Sequence, residues 1–281
     1  MIGKTLRMGR LFETTHKTTV MVAVSNSMYF GPVAGLETNK EIRDLVRACV
    51  DGGCDSVMIT PGALRANVDL LSGRGAPAIV LSAGYTNTWR SVRNFGHAGH
   101  GGDQTLIASI EEALRLGADA YHLYAFLGWH DDGHDMREME RLGQVCEAAH
   151  KWGLPVLCEP VARGDAVATG SFNSVENVAL VARLASEIGA DMVKVEYTGD
   201  DVSFRKVVEA SHVPVVVMGG AKTDTFEEFL ESVENTAAIG ARGVAVGRNI
   251  YSQTDATAAV SRTVEAVRRG ASRWVSKGHH V

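Results

Sequence analysis

Gly189-Ala190-Asp191-Met192-Val193-Lys194-Val195-Glu196-Tyr197-Thr198-Gly199-Asp200 carries a helix stop straight into an apolar strand with one lysine inside it. Gly189 suits a left-handed helix C-cap, from which a small residue and an aspartate lead into the strand. The same signature recurs at Gly53-Cys54-Asp55, at Gly117-Ala118-Asp119 and, with arginine for aspartate, at Gly240-Ala241-Arg242. Proline introduces two further strands, at Leu154-Pro155-Val156 and Val213-Pro214-Val215. Repeated helix-to-strand transitions of this kind imply βα units and a parallel sheet.

Counted outward from that stretch, strands are expected near 19–25, 55–60, 77–82, 119–125, 155–161, 191–197, 213–219 and 242–247. Eight of them favour a closed barrel over an open doubly wound sheet, so the fold class is α/β with (β/α)8 TIM-barrel architecture, as a single domain over 1–281. Helical periodicity over 40–50, 104–116, 136–151, 175–188, 226–238 and 256–268, with a short helix at 202–211, fits that architecture. The glycine-rich stretch 85–103 is too long for a simple βα loop and is expected to lie over the third strand as an active-site loop.

With 281 residues and 45% hydrophobic content the chain can bury a large core. A net charge of -5 gives no nucleic-acid footprint, which leaves a small molecule as the expected partner. No apolar run is long enough to span a bilayer, and residues 1–12 lack the apolar centre of a signal peptide. The expected location is cytoplasmic, away from membranes. Cys49, Cys54, Cys146 and Cys158 show no CxxC spacing and read as small core residues.

Strand alternation decides which side chains meet inside a barrel. With the valines turned toward the helices, Ala23, Ser25, Ser56, Met58, Thr60, Val80 and Ser82 face inward, as do Met192, Lys194 and Glu196. The fourth strand offers His122 and Tyr124 to the same interior, and the fifth offers Glu159. A lysine among apolar neighbours is costly as an ammonium, and the same environment makes a neutral amine available to attack a carbonyl. The alternative is an edge lysine that snorkels to solvent. Barrel enzymes often bind phosphate in the loops after the last two strands. Here those loops are Gly219-Gly220-Ala221-Lys222 and Gly247-Arg248-Asn249, each with close-approach glycines and a cation.

The segments 194–200, 218–222 and 243–250 resemble the Lys-x-x-Tyr-Thr-Gly, Gly-Gly-x-Lys and Gly-Arg-Asn motifs of one DeoC-like class I aldolase family. It contains archaeal-type fructose-bisphosphate aldolases, aminodideoxyheptulosonate synthases and the thiolase acting on phosphorylated autoinducer-2. Residues 3–12 also resemble its opening segment. The resemblance implies a lyase in which Lys194 forms an imine with a phosphorylated ketose or related ketone. It also implies that Gly219, Gly220, Gly247 and Arg248 hold the phosphate and that the chain is a homo-oligomer, often a decamer; no cofactor is expected. Two positions depart from the family. Ser25-Asn26-Ser27 stands where the archaeal aldolases have Asp-His-Gly, and its Ser25 and Asn26 are expected in the substrate pocket. Val161 stands near their aromatic proton donor.

A base must still take the substrate hydroxyl proton and an acid must protonate the enamine carbon. Glu159 is the candidate for that transfer, with Tyr124 and His122 as helpers. Glu159 could instead simply pair with Lys194, and His122 and Tyr124 could be hydrogen-bonded core residues. Thiolase- or transaldolase-type transfer on a phosphorylated diketone is the alternative outcome for the same lysine. A non-catalytic sugar-phosphate binder is the alternative of another class. A metal-dependent route would draw on His97, His100, His130, Asp131, Asp132, His134 and Asp135, but their spacing matches no specific metal signature and no metal is expected.

Overall fold

The computed structural model describes residues 1–87, 104–220 and 223–278. The described residues form ten strands: β1 Thr19–Ala23, β2 Ser56–Ile59, β3 Ala78–Ser82, β4 Gly84–Thr86, β5 Gln104–Leu106, β6 Ala120–Leu127, β7 Val156–Ala162, β8 Met192–Val195, β9 Val215–Met218 and β10 Gly243–Val246. Eight close into a parallel barrel in the order β1-β2-β3-β6-β7-β8-β9-β10, and all eight lie where the sequence places them. The seam pairs Thr19 with Gly243, and a Cβ on Gly243 would stand 1.8 Å from the Thr19 carbonyl oxygen. Its φ of +131° is also one that few other residues adopt. Barrel closure therefore depends on glycine at this position.

Alternation divides the buried apolar residues into two layers. Val20, Val22, Val57, Ile59, Val193, Val195, Val244 and Val246 pack outward against the helices. Met21, Ala23, Met58, Val80, Leu157, Met192 and Val216 fill the lumen, where Leu11 and Phe12 join them. The opening segment is a helix, Ile2–Leu11, whose end supplies those last two side chains to the barrel core.

The recurring aspartate has a structural explanation. Asp55, Asp119 and Asp191 each accept the first free N–H of a neighbouring strand, from Val20 at 2.7 Å, Ile79 at 3.1 Å and Val156 at 2.9 Å. Each also pairs with a cation brought from a distant helix: Arg268 at 2.7 Å, Arg10 at 2.7 Å and Lys4 at 2.8 Å. These ties lie at the N-terminal ends of the strands, the face of a barrel associated with stability rather than catalysis.

Two expectations need correction. Gln104–Leu106 begins no helix; it pairs antiparallel with Gly84–Thr86, and the helix runs only over Ile110–Arg115 from its N-cap Ser109. The helix expected at 136–151 begins at Asp132, because the Asp131 carboxylate caps it. Residues 88–103, most of the expected loop above the third strand, lie outside the described residues, as do Ala221 and Lys222.

Candidate active site

Lys194 sits near the end of β8 with its side chain in the lumen, its residue 8% exposed. Its Nζ donates to Glu159 Oε2 at 2.6 Å, so the solvent-facing alternative does not apply. The same carboxylate oxygen lies 3.0 Å from His122 Nε2. One buried oxygen thus joins residues of three neighbouring strands, β6, β7 and β8. Burial would raise the Glu159 carboxyl, but Lys194 and then His122 outweigh it and hold the group below the usual carboxylate range. Burial lowers His122 below its ordinary value despite the pull of Glu159. A neutral imidazole facing an anion carries its proton on Nε2, so His122 donates to Glu159.

Tyr124 follows two residues along the same face of β6, its ring 5.2 Å from His122 and 5.2 Å edge-on to Tyr29. The Tyr29 hydroxyl donates to the Gly84 carbonyl at 3.2 Å and faces the hydroxyls of Ser82, Tyr124 and Ser25. Burial, then Glu159 and Tyr29, push the Tyr124 phenol well above its ordinary pKa. Ser25 therefore belongs to a hydroxyl cluster across the lumen from Lys194. Sequence reading missed Tyr29, although it lies one helical turn beyond Asn26 in the helix Asn26–Phe30.

Residues far from the amine hold this wall in place. Strand β3 ends its pairing at His122, which would leave the β6 N–H groups beyond it without a neighbour strand. Gln104 Oε1 accepts from Tyr124 N at 3.1 Å, and buried Glu138 accepts from Phe126 N at 3.2 Å. Gln104 Nε2 also donates to Glu138 at 2.8 Å. Side chains thus extend β6 past the end of its partner and fix where Tyr124 points.

The two phosphate-loop candidates are locked to each other. Arg248 donates to the Gly220 carbonyl at 2.9 Å, and Asn249 donates to the Gly219 carbonyl at 2.8 Å while accepting from Thr223 N at 3.1 Å. A Cβ on Gly219 would come within 3 Å of Val246, and one on Gly247 would come within 2.5 Å of Asn26 Nδ2. Asn26 also donates to the Tyr251 hydroxyl at 3.3 Å, which ties the helix Asn26–Phe30 to the helix Arg248–Tyr251. Arg248 itself is exposed.

At the barrel mouth Arg163 forms an ion pair with Glu196 and lies 4.4 Å over the Phe172 ring. Burial, outweighing Arg163, raises the Glu196 carboxyl above its ordinary value. The Tyr-Thr-Gly-Asp part of the motif is structural. Tyr197 donates to Asp201 at 2.9 Å, Thr198 meets Ser203 at 2.7 Å, and Asp200 caps the helix Asp201–Ala210.

The metal alternative does not come together among the described residues. Asp131 is a helix cap, Asp135 accepts from Gly128 N at 3.1 Å, and the His134 ring stacks on Trp129 at 4.2 Å. No group of three ligating side chains gathers among the described residues, and His97 and His100 lie outside them. The four cysteines are all buried and free, as small core residues should be.

The family model for DeoC/LacD family aldolases matches residues 19–253, the span from the first barrel strand to just past Arg248. The chain belongs to this family. This aldolase is 33% identical over 253 residues to an uncharacterized aldolase of Saccharolobus solfataricus, with 89% of each chain covered. It is 32% identical over 262 residues to the class 1 fructose-bisphosphate aldolase of Thermoproteus tenax, with 91% of each covered. Among solved structures it resembles an archaeal fructose-1,6-bisphosphate aldolase whose catalytic lysine is covalently bound to the carbinolamine intermediate of its substrate. The TM-score is 0.80 at 28% identity, over 94% of this chain and 99% of that one. The aldolase is thus a lyase-family enzyme, and among its described residues no helix is long and apolar enough to cross a membrane.

Proposed function

We propose that the enzyme makes or cleaves a carbon–carbon bond in a phosphorylated ketose by a Schiff base on Lys194. The observation that carries the reading is the amine of Lys194 inside the barrel, 2.6 Å from a buried carboxylate. Attack on a ketone requires the neutral amine, and Glu159 is positioned to take the proton that leaves the ammonium. Loss of water from the carbinolamine requires that proton back on the departing hydroxyl, which the same carboxyl can return. His122 keeps Glu159 oriented for both transfers by donating to the oxygen that serves Lys194. The iminium then withdraws electrons from the neighbouring carbons, which lowers the barrier to breaking the bond beyond.

The phosphate is assigned to Gly219, Gly220, Gly247 and Arg248, where two glycine loops bring backbone close and Arg248 adds charge. Ser25, Asn26 and Tyr124 line the substrate pocket, with Tyr124 facing substrate hydroxyls. Fructose phosphates are the first substrates to assay, given the activity for which the Thermoproteus tenax relative is named. The reading includes a cytoplasmic homo-oligomer. Exposed Leu180 and Leu184, one turn apart on the helix Val175–Ile188, support contact between copies. The test is release of triose phosphate from fructose 1-phosphate and fructose 1,6-bisphosphate, compared with Lys194→Met. Equal turnover by the variant would end the proposal.

A further inference from the structure

Glu159 Oε2 is shared by Lys194 and His122, which commits this carboxylate to the chemistry of the amine. Cleavage needs another base, because the hydroxyl on the carbon β to the iminium must lose its proton as the bond breaks. Tyr124 is a poor choice. Its buried phenol is held well above its ordinary pKa and stays protonated at neutral pH. Glu196 remains. It follows Lys194 by two residues on the same face, about 7 Å further toward the C-terminal end at the strand rise per residue. Its side chain is 12% exposed, and Arg163, just past the end of β7, grips it.

The order of the strands supplies the direction. The phosphate loops follow β9 and β10, the amine is on β8, and Glu159 and Arg163 belong to β7 and its end. A ketose held by its phosphate at the first pair and bonded to Lys194 carries its remaining carbons over the rim between β8 and β7. Glu196 and Arg163 meet at that rim.

We propose that Glu196 is the base that takes the substrate hydroxyl proton in carbon–carbon cleavage, with Arg163 positioning its carboxylate. The assignment rests on the Schiff-base reading above. In the step, the hydroxyl proton passes to Glu196 and the oxygen becomes the carbonyl of the released aldehyde. The electron pair of the broken carbon–carbon bond forms the enamine double bond, and the iminium electrons return to nitrogen. Glu196 then gives the same proton to the enamine carbon, and water hydrolyses the resulting imine. The charged groups acting on Glu196 are Arg163 beside it and Glu159 and Lys194 below it. Their combined effect, with burial, leaves its carboxyl raised while Glu159 is lowered. Two carboxyls driven apart in this way suit two different proton tasks.

The test uses fructose 1-phosphate and fructose 1,6-bisphosphate with two readouts, borohydride-fixed label on Lys194 and release of dihydroxyacetone phosphate. Glu196→Gln should retain labelling within about threefold while cleavage falls on the order of 100-fold or more. Glu159→Gln should lose labelling itself. Wild-type cleavage by Glu196→Gln, or labelling and cleavage falling together, would overturn the assignment, while labelling of the wild-type enzyme would still support the Schiff base on Lys194. No labelling of the wild-type enzyme by either probe would overturn the Schiff-base reading and this one with it. If Glu196→Gln does not fold, Arg163→Gln decides. Removing the cation should move the acidic limb of the cleavage profile to higher pH, and an unmoved limb counts against Glu196.

Discussion

Replacing His122 by glutamine should make the enzyme less sensitive to mild acid. Burial holds the folded-state imidazole below its ordinary value of 6.5, so folded His122 is neutral where the unfolded chain has begun to bind a proton. Stability then rises with pH wherever the unfolded state binds more protons, and it is lost as pH falls below about 6.5. The slope is limited to about 1.4 kcal/mol per pH unit for one group. Between about pH 7 and pH 5.5 the proton uptake of a histidine that stays neutral when folded costs up to roughly 1.2 kcal/mol. Glutamine can still donate to Glu159 but does not titrate. Wild type should therefore lose about 2–4 °C more in Tm over that interval than His122→Gln, for a chain of this size. Thermal melts at closely spaced pH values read the difference directly. Parallel losses in the two proteins would refute a buried neutral imidazole at this position.

Other perturbations separate binding from folding. Arg248→Ala should weaken phosphorylated ligands about 10- to 100-fold, the scale of one charge-assisted hydrogen bond, and leave unphosphorylated ketones unchanged in a titration. Asp191→Ala removes the acceptor of the Val156 N–H and the partner of Lys4, at 2.9 and 2.8 Å. It should cost about 1–3 kcal/mol in denaturant unfolding, while the reaction of Lys194 with substrate stays intact. Gly243→Ala should fail to give a stable barrel, because its methyl group would overlap the Thr19 carbonyl across the seam. A normal melt for that variant would contradict the closure.

The barrel was legible because its signals are local. Gly53 and Gly189 cap helices, Gly117 and Gly240 follow the C-caps Leu116 and Ala238 by one and two residues, and all four stand within a few residues of the strands they introduce, while valine alternation sorts lumen from helix layer without reference to distant residues. Lys194 and Glu159 were legible for the same reason, since each is a charge at an inward position of an apolar strand. Contacts between distant residues were hidden. Nothing beside Phe126 in sequence announces that Glu138 caps its N–H, or that Gln104 does the same for Tyr124, so β6 runs two residues past its expected end. Gln104-Thr105-Leu106 continues the periodicity of the helix after Ser109, which is why a strand there reads as helix. Asp131 shows a related ambiguity. A carboxylate beside histidines reads equally as a ligand or a cap, and its place before Gly133 makes it a cap. The strand carrying Lys194 stops at Val195 because Tyr197 to Asp200 turn to cap the next helix.

A covalent bond between Lys194 and a phosphorylated ketone is trapped by reduction with borohydride in the presence of fructose 1,6-bisphosphate. Peptide mass analysis should find the reduced adduct on Lys194 alone, absent without substrate and absent in Lys194→Met. An adduct on another lysine, or inactivation without an adduct on Lys194, would rule out a Schiff base at Lys194.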